Sequence, residues 1–175
     1  MEKTAGVLTR DEIEELLRGN PPLLENMPDG QNQVQPNGVD LTIREIAVLN
    51  TSGTITLDNQ GRVLSITSPL AFDGLGRLDL LPGPYLVTCN EVIHVPKYVT
   101  ALAQPRSSLL RCGVGIHNAV WDAGYSGRSQ ALMLVYNPLG FRIYRNARFL
   151  QLIFFRLSSE IDQGYSGIFQ GENIH

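Results

Sequence analysis

From Gly38 onward the chain is cut into short segments whose apolar residues recur with a period near two, each segment closed by turn-forming residues. Val39-Asp40-Leu41-Thr42-Ile43 alternates cleanly. Residues 54–57, 62–67, 78–81 and 85–95 continue the series, and residues 131–136, 141–144 and the very apolar 149–157 complete it. A period of two puts one face of each segment inward and the other outward. Short strands at regular spacing, punctuated by glycine and proline, predict an all-β sandwich or barrel and exclude alternating β and α units. No internal repeat is visible, and 175 residues are enough for one domain with a real core, so residues 1–175 read as a single domain.

Two stretches break the strand pattern. Thr9-Arg10-Asp11-Glu12 has the form of a capping box, and Ile13, Leu16 and Leu17 follow at helical spacing until Gly19 and Pro21-Pro22 stop them. This predicts a short amphipathic helix over residues 10–18, followed by a loop rich in Asn, Pro, Gly and Gln over residues 20–37. The second stretch is Pro105-Arg106-Ser107-Ser108-Leu109-Leu110-Arg111, two guanidiniums and two hydroxyls within seven residues. Pro105 suits the first position of a helical turn. Ser107 and Arg111 would then share a face, with Leu109 and Leu110 turned to the core. Arginine forks, hydroxyls and a helix N-terminus together hold phosphate oxygens. The competing reading is a capped surface helix whose arginines form salt bridges.

Eleven residues after Arg111 comes Asp122-Ala123-Gly124-Tyr125-Ser126-Gly127, a carboxylate beside a glycine-punctuated turn that carries a tyrosine. Hydrophobicity drops beyond Leu157, and the tail, residues 158–175, spaces glycines around Tyr165 and Phe169. Such a segment suits a mobile lid that closes over a ligand; a frayed chain end is the alternative.

A formal net charge of −3 and a pI near 5.6 argue against a general nucleic-acid binder and favour a small anionic ligand in a local arginine pocket. No run approaches the roughly 18 apolar residues of a membrane span, and Glu2, Arg10, Asp11, Glu12 and Glu14 interrupt any signal-peptide core. Two cysteines, Cys89 and Cys112, point to a reduced, cytoplasmic setting and read as buried thiols. Cys89 and His94, five apart, make a poor zinc pair.

Taken in order, these motifs resemble the dUTPase and dCTP deaminase superfamily, above all its archaeal-type dUTPase branch. Gln35-Pro36-Asn37-Gly38-Val39-Asp40-Leu41 resembles the first motif, and Pro105-Arg106-Ser107-Ser108-Leu109 the phosphate-gripping one. Trp121-Asp122-Ala123-Gly124-Tyr125-Ser126-Gly127 is similar to the motif of the nucleoside and the catalytic carboxylate. Arg148-Phe149-Leu150-Gln151 resembles the strand that closes on the phosphates, although Leu150 replaces a small residue there. Gly164-Tyr165-Ser166-Gly167 followed by Gln170-Gly171-Glu172-Asn173 resembles the lid motif.

The resemblance implies a distorted β-barrel or jelly roll, with the N-terminal helix and a short helix at the phosphate motif, assembled as a homotrimer with interfacial active sites. It implies hydrolysis of dUTP to dUMP and pyrophosphate, with Asp122 activating water. Arg106, Ser107, Ser108, Arg111 and Gln151 would hold phosphates, with Mg²⁺ carried mainly by phosphate and water, so that no metal-ligand cluster is required. Tyr125 would pack on the deoxyribose, the backbone around Asn118 and Ala119 would read the uracil edge, and Tyr165, Phe169 and Gln170 would belong to the lid. Asp40 is a supporting residue, with a structural aspartate as its other reading.

Deaminase members carry a glutamate on the strand after the aspartate turn, needed to protonate the departing amine. Here residues 128–137 contain no acid, and the two possible registers put Leu132 or Leu134 at that place. A zinc deaminase would need His-x-Glu and Pro-Cys-x-x-Cys, which are absent. The alternatives carried forward are dCTP deaminase and a non-catalytic nucleotide-binding jelly-roll trimer. The Asp-Ala-Gly-Tyr sequence itself is like the deaminase branch.

Overall fold

A computed structural model describes residues 4–174; residues 1–3 and His175, the ends of the expected domain and tail, lie outside the described residues. The elements in chain order are β1 (Gly6–Val7), α1 (Arg10–Leu17), β2 (Leu24–Glu25), β3 (Val34–Gln35), β4 (Gly38–Leu49), β5 (Thr67–Pro69), β6 (Arg77–Leu80), β7 (Gly83–Cys89) and β8 (Val92–His94). They continue with β9 (Val99–Pro105), α2 (Ser107–Arg111), β10 (Val114–His117), β11 (Ser126–Gly127), β12 (Gln130–Val135), β13 (Phe141–Tyr144) and β14 (Arg148–Arg156). The architecture is all-β, a curled antiparallel half-barrel. Its main sheet runs β1-β14-β4-β7-β12-β10, with β9 also on β14 and with β3 and β5 on β4. A three-stranded sheet, β11-β8-β2, and an antiparallel pair, β6-β13, complete the strands.

The N-terminal helix forms as its capping box dictates. Thr9 N–H donates to Glu12 Oε2 at 3.0 Å, and Glu12 N–H donates to Thr9 Oγ1 at 3.4 Å. Arg156 on β14 reaches Glu12 at 3.1 Å and fastens the helix to the sheet. Ile13 faces the core, which joins helix and sheet through Leu8, Val39, Leu41, Ile43, Phe149 and Phe154 among others.

Several sequence expectations change. Residues 54–57 and 62–67 alternate as strands do, yet they form a single bridge, Thr54 to Val63, and only Thr67 enters a strand. Ile55, Leu57, Leu64 and Ile66 are exposed, so their alternation serves no buried face of this chain. The run 85–95 breaks at Asn90-Glu91 into β7 and β8. There the fully buried Glu91 carboxylate accepts from Thr42 N–H at 3.0 Å, Thr42 Oγ1 at 2.6 Å and Gln33 Nε2 at 2.7 Å. The 20–37 loop contains β2, β3 and a 3₁₀ turn. Strands β9 and β10 have no counterpart in the sequence reading. Pro105 ends β9 and does not open the helix, whose first residue is Ser107 after an Arg106 N-cap. Leu109 is buried as expected, but Leu110 is 69% exposed because one turn of helix can bury only one side.

Candidate active site

The first half of the site is built at the junction of β4, β9 and β14. The first six residues of β4 are buried on both faces, so Val39, Leu41 and Ile43 fill the core while Asp40 and Thr42 are buried on the opposite side. Register then sets Asp40 opposite Gln151 on β14, and Gln151 opposite Gln104 on β9. Gly38 has no room for a side chain, since a Cβ there would stand 2.5 Å from the Leu152 carbonyl and 3.3 Å from the Gln151 amide. A register shift between Arg148 and Leu150 lets Phe149 and Leu150 both turn inward and re-aims Arg148.

The result is a carboxylate beneath two guanidiniums. Asp40 Oδ2 lies 3.2 Å from Arg106 Nε and 3.7 Å from Arg148 Nη1. It is buried and makes no aligned hydrogen bond, so the contact is one of charge. Burial raises the Asp40 pKa, and the attraction of Arg106 and then Arg148 offsets this only in part. Arg106 is further fixed by its N–H to the Phe149 carbonyl at 3.0 Å. Ser107 and Ser108 are exposed on α2, and Arg111 folds back so that Nη1 donates to the Ser107 carbonyl at 2.8 Å. With five residues, α2 has little dipole to offer, so the side chains and not the helix end carry this half of the site.

The second half surrounds the turn after Trp121. A cavity of about 190 Å³ is lined by Ala119, Asp122, Tyr125, Ser129, Tyr165 and Glu172, with Gln130 and Phe169 also on its wall. Asp122 is exposed, whereas Tyr125 is buried with its hydroxyl pointing inward. Asn118 Nδ2 approaches the Ala103 carbonyl at 3.4 Å, which ties the loop before the turn to β9.

The described part of the tail is docked on this turn. Tyr165 N–H donates to the Ala123 carbonyl at 2.9 Å, and the Tyr165 ring meets that of Tyr125 edge-on, centroids 5.8 Å apart. Gln170 bridges the turn, accepting from Ser126 N–H at 3.0 Å and donating to the Gly124 carbonyl at 3.0 Å. Arg128, nearly fully buried, donates through Nε to the Asn173 carbonyl at 2.9 Å. Gly124, at φ +84°, leaves the tail no room for a side chain: a Cβ there would stand 2.6 Å from Gly164 Cα.

The two halves lie at different points along β9. Trp121 bridges to Ala101 while α2 follows Pro105. Those points are four residue steps apart, about 13 Å at roughly 3.3 Å per residue. The sequence reading named Glu172 only within the lid motif and gave Arg128, Ser129 and Gln130 no site role, although Ser129, Gln130 and Glu172 line the cavity and Arg128 holds the tail. An arginine set between a glycine and an apolar strand was the one available signal.

These carboxylates make stability depend on pH in a defined way. Burial raises the pKa values of Asp40, Glu91 and Glu172. The folded chain therefore binds their protons more tightly than the unfolded chain, and stability grows as pH falls through their folded values. Glu12, Asp73 and Asp79 are lowered, chiefly by the Thr9 N–H, the Arg77 N–H and the Arg142 guanidinium respectively. Their contribution is lost as pH falls below the ordinary carboxylate range. The expected Tm profile rises from pH 7 towards about pH 4–5 and then falls. Calorimetry between those limits checks it, and a decline beginning at neutrality contradicts it.

Fold and site together define a protein of the distorted antiparallel barrel class, with two arginines over a buried aspartate at one corner and a tail-covered pocket. The chain belongs to the dCTP deaminase-like family, whose model matches residues 7–157. It is 46% identical over 169 residues to a protein of Methanosarcina mazei named "Probable deoxyuridine 5'-triphosphate nucleotidohydrolase", covering 97% of this chain and 99% of that one. A protein of the same name from Archaeoglobus fulgidus is 41% identical over 96% of this chain and 98% of that one. Among solved structures, the 2'-deoxycytidine 5'-triphosphate deaminase of Agrobacterium tumefaciens superposes with a TM-score of 0.66 at 25% identity over 88% of this chain. The chain spans half the length of that deaminase chain.

Proposed function

We propose that the protein is a dUTP diphosphatase, hydrolysing dUTP to dUMP and pyrophosphate. The observation that carries this reading is the near-complete coverage of relatives named as dUTP nucleotidohydrolases. The apolar positions 132 and 134 on β12 support it, because a deaminase would need an acid there. The deaminase reading draws on the likeness to the A. tumefaciens enzyme, and the pocket does hold one further acid, Glu172. That carboxylate already accepts a hydrogen bond from the Tyr125 hydroxyl at 2.8 Å.

Phosphoryl transfer depends mainly on positioning and charge stabilisation. Arg106, held over Asp40, would take phosphate oxygens together with Ser107, Ser108 and Gln151. Arg111 would join them after release from the Ser107 carbonyl. Asp122, exposed on the pocket wall, would take a proton from the water that attacks the α-phosphorus. The α–β bridging oxygen then leaves with pyrophosphate. Tyr125 would back the deoxyribose, the Asn118–Ala119 backbone would face the base, and Tyr165, Phe169 and Gln170 would close over it.

No group of three or more His, Cys, Asp or Glu arranged to hold a metal occurs among the described residues. By the resemblance, an Mg²⁺ would arrive on the triphosphate with its own waters and lower the phosphate charge. Different copies would supply the arginine corner and the Asp122 pocket of a complete site, and a homotrimer fits the reading. We take residues 1–175 as one domain, with 158–175 as its closing segment. No described helix is long and apolar enough to cross a membrane, and two unpaired thiols agree with a cytoplasmic setting.

A product assay tests the assignment. With Mg²⁺, dUTP should give dUMP and pyrophosphate, and dCTP should release no ammonia. Ammonia from dCTP would overturn the reading in favour of the deaminase. Tight dUTP binding with no product would favour the non-catalytic binder.

A further inference from the structure

The tail brings a group into the pocket that the phosphate chemistry leaves without a task. Glu172 Oε1 accepts from the Tyr125 hydroxyl at 2.8 Å. That hydroxyl lies 3.2 Å from Ser129 Oγ, which accepts from Trp121 Nε1 at 2.5 Å. Tyr125 has one proton, and the carboxylate takes it, so Ser129 must donate to the tyrosine oxygen. The bonds therefore run in one direction, from Trp121 to Ser129 to Tyr125 to Glu172, and such chains strengthen one another. Glu172 is itself fixed, since its carbonyl accepts from Arg128 N–H at 2.9 Å and its N–H donates to the Phe169 carbonyl at 3.2 Å.

We propose that Glu172 is a positioning residue that sets selectivity for deoxyribose by holding the Tyr125 hydroxyl when the tail is closed. This rests on the reading of Tyr125 as the wall against which the sugar packs. A tyrosine held only at its Cβ can rock about its first torsion. One tied at its far end by Glu172 and Ser129, and flanked by the Tyr165 ring, presents a wall of fixed position. A 2′-hydroxyl then meets an unyielding surface. Selectivity becomes a property of the closed tail, and discrimination is made at the moment the pocket is sealed.

The test compares wild type, Glu172→Ala, Glu172→Gln, Tyr125→Phe and the Tyr125→Phe/Glu172→Ala double variant as full chains. The measured quantity is kcat/KM for dUTP divided by kcat/KM for UTP. Glu172→Ala and Tyr125→Phe should each lower this ratio about tenfold, and the double variant should lower it no further. Glu172→Gln keeps an acceptor oxygen at the hydroxyl and should hold the ratio within about threefold of wild type. Equal losses for both nucleotides in Glu172→Ala, or multiplicative effects in the double variant, would overturn the proposal.

A second measurement is independent of hydrolysis. Trp121 is the one tryptophan of the chain and is buried at the start of the relay. Its emission in the ligand-free protein should shift to the red in Glu172→Ala and stay in place in Glu172→Gln. An unchanged emission in Glu172→Ala refutes the relay even if dUTP is hydrolysed. If wild type turns over neither nucleotide, the hydrolase reading fails on its own. The selectivity ratio is then taken from dissociation constants measured by Trp121 quenching, with the same outcomes for and against.

Discussion

Replacing Asp122 by alanine is expected to lower kcat for dUTP by about 10²–10⁴-fold, the usual contribution of a positioned general base, while nucleotide binding survives. The separation follows from where Asp122 stands. Its side chain is exposed on the pocket wall, so no buried partner is orphaned when it goes. The turn itself is held by backbone: Tyr125 N–H to the Asp122 carbonyl at 3.1 Å, and Gly124 N–H to the Val95 carbonyl at 3.0 Å. Those bonds do not depend on the side chain. Asp122→Asn should fall as far as alanine, because an amide keeps the shape and cannot take the proton. Binding is read with a non-hydrolysable dUTP analogue through quenching of Trp121, which lines the same pocket. Wild-type turnover in either variant would remove Asp122 from the chemistry. Loss of analogue binding together with turnover would make it a binding residue instead.

What sequence could disclose about this protein divides by range. Capping boxes, turn residues and period-two strands are local, and they predicted α1, β13, most of β12 and β14, and the first part of β4. The alternation at residues 54–57 and 62–67 was also real, but a strand needs a partner as well as a pattern, and these segments find one bridge. Strand β9 went unseen because Ala101, Ala103 and Pro105 carry weak strand signals, although it lies fully paired along β14. The site shows the same division. Arg106, Ser107 and Ser108 are neighbours in sequence and could be recognised together. The assembly of Asp40 with Arg106 and Arg148 comes from the register of β4, β9 and β14, including a bulge that no local pattern encodes. The docked tail is harder still, because it joins residues far apart in the chain through backbone bonds such as Tyr165 N–H to the Ala123 carbonyl and through the side chains of Gln170, Glu172 and Asn173.

Arg106→Ala is expected to show how tightly the grip on phosphate and the stability of the barrel are joined. Losing one charged donor from a phosphate site costs about 10²–10³-fold in kcat/KM. It also leaves the buried Asp40 with only Arg148, at 3.7 Å, to offset its charge. Removing one partner of a fully buried ion pair costs about 3–5 kcal/mol. Arg106 is about one-third exposed, so solvent already weakens the pair and roughly 2 kcal/mol is the better figure. The raised pKa of Asp40 gives the direction of the remedy, since its ionised form is disfavoured by burial even with both arginines present. Adding Asp40→Asn to Arg106→Ala removes the stranded charge and should restore most of the lost stability in urea unfolding, with hydrolysis still impaired. Asp40→Asn alone should keep or raise the unfolding midpoint at neutral pH yet lower kcat/KM, because Arg106 loses the anchor that aims it. Recovery of activity together with stability in the double variant would show that Arg106 acts on the fold and not on the phosphates. A single Asp40→Asn variant that unfolds would show that the carboxylate is needed to hold the three strands together.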